Sequence, residues 1–324
     1  NIDGVRMSTA LTYLNMARHR LNITIRGGVS IRRVLFEGKL AVGVEAESGG
    51  EVFNVYGSEI ILSAGAIGSP QALLLSGVGP AKELEFIGID LVHDLPGVGK
   101  NLRDHPAAYM LFKGEGEPPD IDTPSLQVGL RFSLPGSATR GDFQITPTLM
   151  SSEHRPASVN YEGDTFHFGL SVGLQNAKSA GELTLDSADP HEHPFLNYDL
   201  FSTDYDRERM RGAMRVAGQV AEHPAFAEYV VEQLNPTNEE LADDALLDRW
   251  IMTNCYTQHH VSGTCKMGPR SDFMAVVSQY GRVHGLEGLR VVDASVMPDV
   301  IRANTNATTI MIAERVADWI KEGK

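Results

Sequence analysis

Residues 258–268 read Gln-His-His-Val-Ser-Gly-Thr-Cys-Lys-Met-Gly, and the interpretation of the whole chain starts from them. Further on, residues 289–298 read Leu-Arg-Val-Val-Asp-Ala-Ser-Val-Met-Pro, and residues 304–309 read Asn-Thr-Asn-Ala-Thr-Thr. The second segment predicts a buried strand that ends in a carboxylate, and the third predicts the first turn of a helix. Ligands of open α/β sheets bind beyond the carboxyl ends of strands, and helix N-termini stabilise negative charge. A histidine brought to that place would add a titratable base.

Three earlier segments support the same interpretation. Residues 4–10 read Gly-Val-Arg-Met-Ser-Thr-Ala, residues 65–80 begin Gly-Ala-Ile-Gly-Ser-Pro and end Ser-Gly-Val-Gly-Pro, and residues 96–106 read Pro-Gly-Val-Gly-Lys-Asn-Leu-Arg-Asp-His-Pro. Together with the segments above, they resemble the glucose–methanol–choline (GMC) oxidoreductases, flavoenzymes that oxidise alcohols on FAD. The resemblance is dense over residues 1–106 and 256–324 and is only an outline between them.

The resemblance implies a fold of two parts. Residues 1–106 and 256–324 would form an incomplete α/β FAD-binding domain of Rossmann-like type, and residues 107–255 an α+β substrate-binding domain with an antiparallel sheet. The G-x-G-x-x-G fingerprint that binds a dinucleotide pyrophosphate is absent from the sequence. We therefore expect the C-terminal portion of a longer flavoprotein, without its N-terminal dinucleotide-binding segment. A separate chain is one way in which that segment would be supplied.

The chemistry implied by the resemblance depends on two residues. Flavin N5 takes a hydride from the alcohol carbon, while the protein takes the hydroxyl proton and holds the oxygen. His260 would be the base, since imidazole titrates near neutral pH, and Asn304 would be its partner over the flavin. Most single histidines are ordinary core or surface residues, so only the surrounding match favours His260 over its neighbour His259. We interpret His105 as a structural contact.

The resemblance also implies a set of FAD contacts. They are Val29, Ala64, Gly65, Asp293, Ala294, Asn304, Thr305 and Asn306. Small residues such as those at 64–65 let backbone approach a ligand. The N-terminus of a helix over residues 305–320 would contribute about half a positive charge toward the flavin. A helix cap or turn at Asp293 and an ordinary packed C-terminal helix are the alternatives.

Hydrophobic periodicity predicts the elements around these segments. Helices are expected over residues 9–20, 204–221, 239–254 and 305–320, the last apolar nearly all round and therefore buried. Another helix is expected to begin at Ser69, with Ser69 as its cap and Pro70 at its first position. Strands are expected over residues 22–26, 30–36, 40–46, 51–56, 59–63, 165–172, 181–185 and 289–293.

Bulk composition limits the function classes. A length of 324 residues gives an expectation of about two domains, and 42% hydrophobic with 22% charged residues is typical of a globular protein. The formal net charge of −14 argues against a nucleic-acid partner. No apolar run is long enough for a membrane span. Cys255 and Cys265 suggest neither a disulfide framework nor a metal site. A small-molecule alcohol is the expected partner, and the cytoplasm the expected location.

Two alternatives to alcohol oxidation stay open at this point. The same scaffold also carries non-oxidative enzymes, namely hydroxynitrile lyases and fatty-acid photodecarboxylases. A chain without the pyrophosphate-binding segment would alternatively be an inert fragment that needs a complementing segment. A choline-like substrate is weakly disfavoured, because the strand over residues 165–172 offers Phe166 and Phe168 but no acid for a quaternary ammonium. The electron acceptor is left open.

Overall fold

The computed structural model describes residues 1–114, 128–150, 167–227 and 229–324. The strands are Ser30–Glu37 (β1), Leu40–Ser48 (β2), Glu51–Tyr56 (β3), Ile60–Leu62 (β4), Val78–Gly79 (β5), His93–Asp94 (β6), Lys100–Leu102 (β7), Pro106–Gly114 (β8), Leu130–Phe132 (β9), Phe143–Met150 (β10), His167–Leu174 (β11), Gly181–Thr184 (β12), Phe195–Asn197 (β13), Val230–Asn235 (β14), Tyr256–Thr257 (β15) and Leu289–Val291 (β16). The helices are Asn15–Ala17 (α1), Gly65–Leu75 (α2), Ala81–Phe86 (α3), Asp204–Ala221 (α4), Pro224–Ala227 (α5), Asn238–Ala242 (α6), Asp244–Asn254 (α7) and Thr305–Lys321 (α8). A π-helical turn at Ala10–Leu14 precedes α1, and a 3-10 turn follows β16 at Ala294–Val296.

Two parallel strands far apart in the sequence form the base of the candidate site. β4 pairs with β16 in parallel register, with Ile60 opposite Leu289 and Leu62 opposite Val291. Their carboxyl ends therefore meet at one edge, where Ala64 and Asp293 follow the two strands. This pairing returns the C-terminal tail to the N-terminal part of the chain, as the resemblance implied.

One hydrophobic cluster joins these two parts of the chain. It includes Val34 and Leu73 from the first hundred residues and Cys265, Val277 and Val291 from the tail, all at most 3% exposed. The three-stranded antiparallel sheet β1-β2-β3 borders it and confirms the predicted meander. β12 and β13 also pack here, since β12 pairs with β7 and Leu183 belongs to the cluster.

A second hydrophobic cluster belongs to the antiparallel sheet predicted for the middle of the chain. The strand order is β14-β8-β11-β10-β9, and β15 also pairs with β8. Phe112 and Leu170 from the sheet pack with Met210 of α4 and Trp250 of α7. Helices on a mostly antiparallel sheet form an α+β layer, and α4 has the predicted bounds.

β11 is buried on both faces, although its sequence predicted only one apolar face. Its even-numbered residues belong to the second cluster. On the opposite face, Ser171 hydrogen-bonds the Tyr256 hydroxyl, and Gln258 lies against Gly173. This face is covered by the segment that leads to His260, which is why it carries small and polar residues. Thr165 and Phe166 of the predicted strand lie outside the described residues.

Several local predictions were wrong. Residues 22–26 are not a strand, and Ile23 and Ile25 are 40% and 48% exposed. The helix predicted for residues 239–254 is divided at Asp243, whose side chain accepts from the Leu246 N–H and so starts a new helix. In α8 only Val316 is buried, because the described residues pack along just one side of the helix. A helix that is apolar all round becomes buried only if other elements pack against all of its sides.

The helix after β4 begins earlier than its sequence suggested. α2 starts at Gly65, so Pro70 lies inside it. A proline at that position lacks the N–H that would bond the Ala66 carbonyl four residues earlier. The Thr264 hydroxyl donates to this carbonyl at 2.7 Å instead, and both groups are buried. The sequence alone did not show that Ser69 and Pro70 lie inside the helix. The hydroxyl that replaces the missing Pro70 N–H belongs to Thr264, which is almost two hundred residues away.

Thr264→Val should therefore destabilise the protein by about 1–3 kcal/mol, since it leaves a buried carbonyl without a partner. The same change at Thr253, an exposed helical residue whose hydroxyl bonds the Arg249 carbonyl, is the matched control and should cost well under that. Because Pro70→Ala restores an N–H to the helix, we expect Thr264→Val to cost less in that background. The free energy of unfolding would be measured by urea denaturation. If Thr264→Val lowered it equally with Pro70 and with Ala at position 70, this account of α2 would be refuted.

No helix among the described residues has both the length and the apolar character that crossing a bilayer requires.

Candidate active site

A buried carboxylate brings two histidine-bearing segments together. Asp104 is 4% exposed, and its Oδ1 accepts from the backbone N–H groups of His105 at 2.7 Å and His260 at 3.0 Å. Its Oδ2 accepts from the Thr257 hydroxyl. The backbones are also joined directly, since the Gln258 N–H donates to the His105 carbonyl at 3.1 Å. The segment 96–106 and the segment 258–268 thus meet at Asp104.

The His260 ring has a polar partner at each nitrogen. Its Nε2 lies 3.1 Å from Asn304 Nδ2, and its Nδ1 lies 2.9 Å from His105 Nδ1. The two imidazole rings are nearly perpendicular, with an interplanar angle of 73°. The structure therefore brings together the two residues that the sequence nominated as catalytic, and adds His105 to them.

Burial sets the charge of these groups. It lowers the pKa of His260 from 6.5, although the nearby Asp104 acts in the opposite direction. It lowers the pKa of His105 to about 4. Burial also raises the pKa of Asp104, while hydrogen bonds from Thr257 and from two backbone N–H groups oppose that change. At neutral pH both rings are accordingly neutral, so His260 is ready to accept a proton.

Asn304 stands at the N-cap of α8 without capping it. Asparagine at this position usually accepts from an N–H of the first turn, but the side chain bonds His260 instead. The first-turn N–H groups therefore keep their donor capacity, and Asn304 and Asn306 are exposed while Thr305 is half-buried. A helix of this length with an open N-terminus is suited to a carbonyl or anionic edge of a ligand.

The Asp293 carboxylate, which follows β16, joins the two loops beside the parallel strands. Its Oδ2 accepts from the Gly65 N–H at 2.9 Å and the Ser69 hydroxyl at 2.5 Å. Its Oδ1 accepts from the Ser295 N–H at 2.8 Å and the Ser295 hydroxyl at 2.5 Å. A carboxylate offers about four acceptor sites, and all are used within the protein. The side chain is thus a clamp between the two loops, which corresponds to the turn-and-cap alternative.

The backbone around this clamp does leave room for a cofactor. Gly65 has a φ of 79°, and a Cβ built there would meet no atom within 4 Å. Ala64 is exposed and Ala294 is half-buried. Small residues that are at least partly exposed at the carboxyl ends of two parallel strands fit a flavin nucleotide. Val29 lies apart from this edge, immediately before β1.

Sequence reasoning missed two residues of the cluster. Asp104 was quoted only as part of a motif, and His105 was interpreted as a structural contact. The signal that would have found them is the repetition of polar, titratable residues in both of the best-matching segments. Their proximity depends on the crossing of residues 102–106 and 256–262, where Arg103 and Ser262 exchange two backbone hydrogen bonds of 2.9 Å.

Comparisons with known proteins agree with this architecture. Two sequence models, both described as GMC oxidoreductase, match residues 2–107 and 177–313 and correspond to the N-terminal and C-terminal domains of one family. Because the N-terminal model matches residues 2–107, the expectation that this chain lacks the family's N-terminal segment is not supported, and neither is a separate chain carrying it.

Individual relatives give the same family. The chain is 37% identical to an oxygen-dependent choline dehydrogenase from Photobacterium profundum, over 98% of this chain and 59% of that protein. It is 39% identical to one from Escherichia coli, over 98% of this chain and 61% of that protein. It thus spans about three fifths of these relatives' length.

A solved structure extends the comparison to the fold. Pyridoxine 4-oxidase from "Mesorbium loti" superposes with a TM-score of 0.90 at 26% identity, over 99% of this chain and 62% of that one. The two matching domain models, the relatives and the shared architecture lead to one conclusion. The chain belongs to the GMC oxidoreductase family.

Proposed function

We propose that this protein oxidises a primary alcohol to an aldehyde on FAD, with His260 as the base and Asn304 as its partner. One observation carries the proposal: Asn304 Nδ2 lies 3.1 Å from His260 Nε2, although the two residues are 44 positions apart. A base and a hydrogen-bond donor this close together can both contact the same alcohol oxygen when it binds beside them. The names of the relatives, choline dehydrogenase and pyridoxine 4-oxidase, support an alcohol-type substrate.

In this reaction, His260, Asn304 and Asp104 would each have a separate role. His260 Nε2 accepts the hydroxyl proton, and Asn304 Nδ2 donates to the alcohol oxygen as negative charge develops on it. Asp104 holds the His260 backbone, so the ring keeps its place during the reaction. When bound, FAD supplies the hydride acceptor, its N5 atom.

FAD would be held mainly by backbone groups. We assign contacts to Ala64 and Gly65 beside β4, to Ala294 beside β16, and to the first turn of α8 at Thr305 and Asn306. Val29, before β1, is assigned to the adenine end by resemblance to the family. Asp293 supports this surface from behind, because its carboxylate fixes the Gly65 and Ser295 backbones.

The substrate is proposed to be a neutral alcohol. A quaternary ammonium group is usually balanced by aromatic faces and a negative charge. The carboxylate beside His260, Asp104, is 4% exposed and already accepts three hydrogen bonds, so it offers no open charge to a cation. A higher kcat/KM for choline than for uncharged primary alcohols in a substrate panel would contradict this choice.

Flavin reduction tests the reaction class. Addition of a primary alcohol to the FAD-loaded protein without oxygen should bleach the flavin absorbance and yield the aldehyde. A lyase or photodecarboxylase would leave the flavin oxidised in the dark. A chain that remains colourless after incubation with FAD would instead favour the inert-fragment alternative.

The pH profile is a second expected result. His260 must be neutral to act as a base, and burial lowers its pKa below the ordinary 6.5. Activity should therefore be full above this pKa and fall as the pH drops through it, with the half-loss of kcat/KM below pH 6.5.

Asn304→Asp, which preserves the side-chain shape, places a negative charge beside His260 Nε2 and favours the imidazolium form. The acid limb should then move upward by about one pH unit. An acid limb that does not move would contradict the proximity of the two groups in solution.

A further inference from the structure

The contact between His105 and His260 couples the tautomers of the two rings. It joins Nδ1 of one ring to Nδ1 of the other at 2.9 Å. A hydrogen bond between two nitrogens needs one donor and one acceptor, and a neutral imidazole has one of each. Whichever ring donates here, its Nε2 is left as the lone-pair atom.

A backbone carbonyl decides which ring donates. His105 Nε2 lies 2.6 Å from the Ile301 carbonyl oxygen, which can only accept, so this nitrogen carries the hydrogen. The ring is fully buried, and burial lowers its pKa to about 4, so His105 is neutral at neutral pH. Its Nδ1 is consequently a lone pair and accepts from His260 Nδ1–H.

The opposite arrangement has a specific cost. If His105 donated through Nδ1, its Nε2 lone pair would face the lone pairs of the Ile301 oxygen at 2.6 Å. Two buried acceptors in contact would repel each other, and each would lack a donor. The Ile301 carbonyl thus selects one direction for both hydrogen bonds.

We propose that His105 is a positioning residue that fixes His260 as its Nδ1–H tautomer, so that Nε2 is the basic atom on the Asn304 side. This inference rests on the proposed role of His260 as the base. Among the described residues no carboxylate is hydrogen-bonded to the His260 ring, since both oxygens of Asp104 bond backbone N–H groups and Thr257, and His105 explains how the active tautomer is set there.

The proton balance follows from this arrangement. The alcohol O–H bond breaks, the electron pair stays on oxygen, and a new N–H bond forms at His260 Nε2. The Nδ1–H bond is kept and still donates to His105. The low basicity of buried His105 keeps the proton on His260, so His105 orients the base and does not relay the proton.

The tautomer can be measured without turnover. In protein labelled with ¹⁵N-histidine, long-range ¹H–¹⁵N spectra distinguish a protonated ring nitrogen from a lone-pair nitrogen. The His260 signals are identified by their loss in His260→Gln. We expect His260 to carry its hydrogen on Nδ1 and to show a scalar coupling to His105 Nδ1 across the hydrogen bond. His260 protonated on Nε2 in the neutral ring would overturn the proposal whatever the activity.

A matched pair of variants tests the role of His105 itself. Leucine and asparagine side chains have nearly the same shape. Only asparagine has an acceptor atom, Oδ1, bonded to Cγ, which is where histidine has Nδ1. We expect His105→Leu to abolish the coupling and to lower kcat/KM by about 10–100-fold. It should also populate the Nε2–H form of His260, in which the Asn304 amide turns so that its oxygen, rather than its nitrogen, meets Nε2. His105→Asn should restore the Nδ1–H form and bring kcat/KM within about tenfold of the unsubstituted protein.

The outcomes separate this inference from the proposed function. An unchanged His260 tautomer in His105→Leu would overturn it. If that variant fails to fold, the His260 tautomer and the coupling measured in the unsubstituted protein still test the inference. The expected tautomer in a protein that oxidises no alcohol would refute the proposed function and leave the tautomer assignment standing.

Discussion

His260→Ala should lower turnover of the FAD-loaded protein by about 10²–10⁴-fold, the usual range for a lost acid–base group. The loss should fall on kcat, because the alcohol can still occupy the site while its proton has no acceptor at Nε2. Rapid-mixing measurement of flavin bleaching at saturating alcohol isolates this step from reoxidation. Turnover near that of the unsubstituted protein would remove His260 from the role of base.

A neighbouring histidine provides the control. His259 is exposed and adopts a positive φ of 62°, so His259→Asn suits its backbone and removes an imidazole one residue away. His259→Asn should keep turnover within about threefold, well short of the range for a lost acid–base group. Equal losses in both variants would mean that the segment, and not the base, had been disturbed.

Asp104→Leu should have the second-largest effect, and it should appear in both stability and activity. The change leaves the backbone N–H groups of His105 and His260 and the Thr257 hydroxyl without their acceptor inside the protein. At about 1–3 kcal/mol for each of these three groups left unpaired, we expect a loss of about 3–9 kcal/mol in the free energy of unfolding. Turnover should fall by about 10²-fold, because a displacement of the base by 1 Å is sufficient for that.

Asp104→Asn distinguishes the hydrogen bonds from the charge. The amide oxygen can still accept from both backbone N–H groups, and the Thr257 hydroxyl can turn to accept from the amide. We therefore expect about a third or less of the stability loss of Asp104→Leu, by chemical denaturation. Similar losses in the two variants would show that the carboxylate charge matters more than the hydrogen bonds.

The sequence predicted regular local elements better than contacts between segments that are far apart in the chain. The two strands at residues 59–63 and 289–293 were predicted from their apolar character, and the family resemblance assigned both to one domain, whereas their parallel pairing comes from the structure. The convergence of His260 and Asn304 came from the family resemblance rather than from periodicity. α4 was predicted with its correct bounds because its apolar spacing is regular and Thr203 caps it.

The errors share a physical cause, which is a partner distant in sequence. Local rules placed Pro70 at the start of a helix, because nothing nearby shows that Thr264 replaces its missing N–H. The same rules placed a strand at residues 22–26, where β-propensity is high but the described structure provides no pairing strand. The tautomer coupling of His105 to His260 depends on the Ile301 carbonyl, and no sequence pattern reveals which carbonyl a buried ring meets.

The two faces of β11 bear on how substrate preference can diverge within this fold. Its even-numbered residues contribute to a hydrophobic cluster, whereas Ser171 and Gly173 touch the segment that carries the base. Substitutions at alternate positions therefore fall into separate groups, one that alters the hydrophobic cluster and one that alters the segment leading to His260. A mutagenesis library restricted to positions 171 and 173 would therefore act on the segment that leads to His260, and any side chain at 173 would have to displace Gln258.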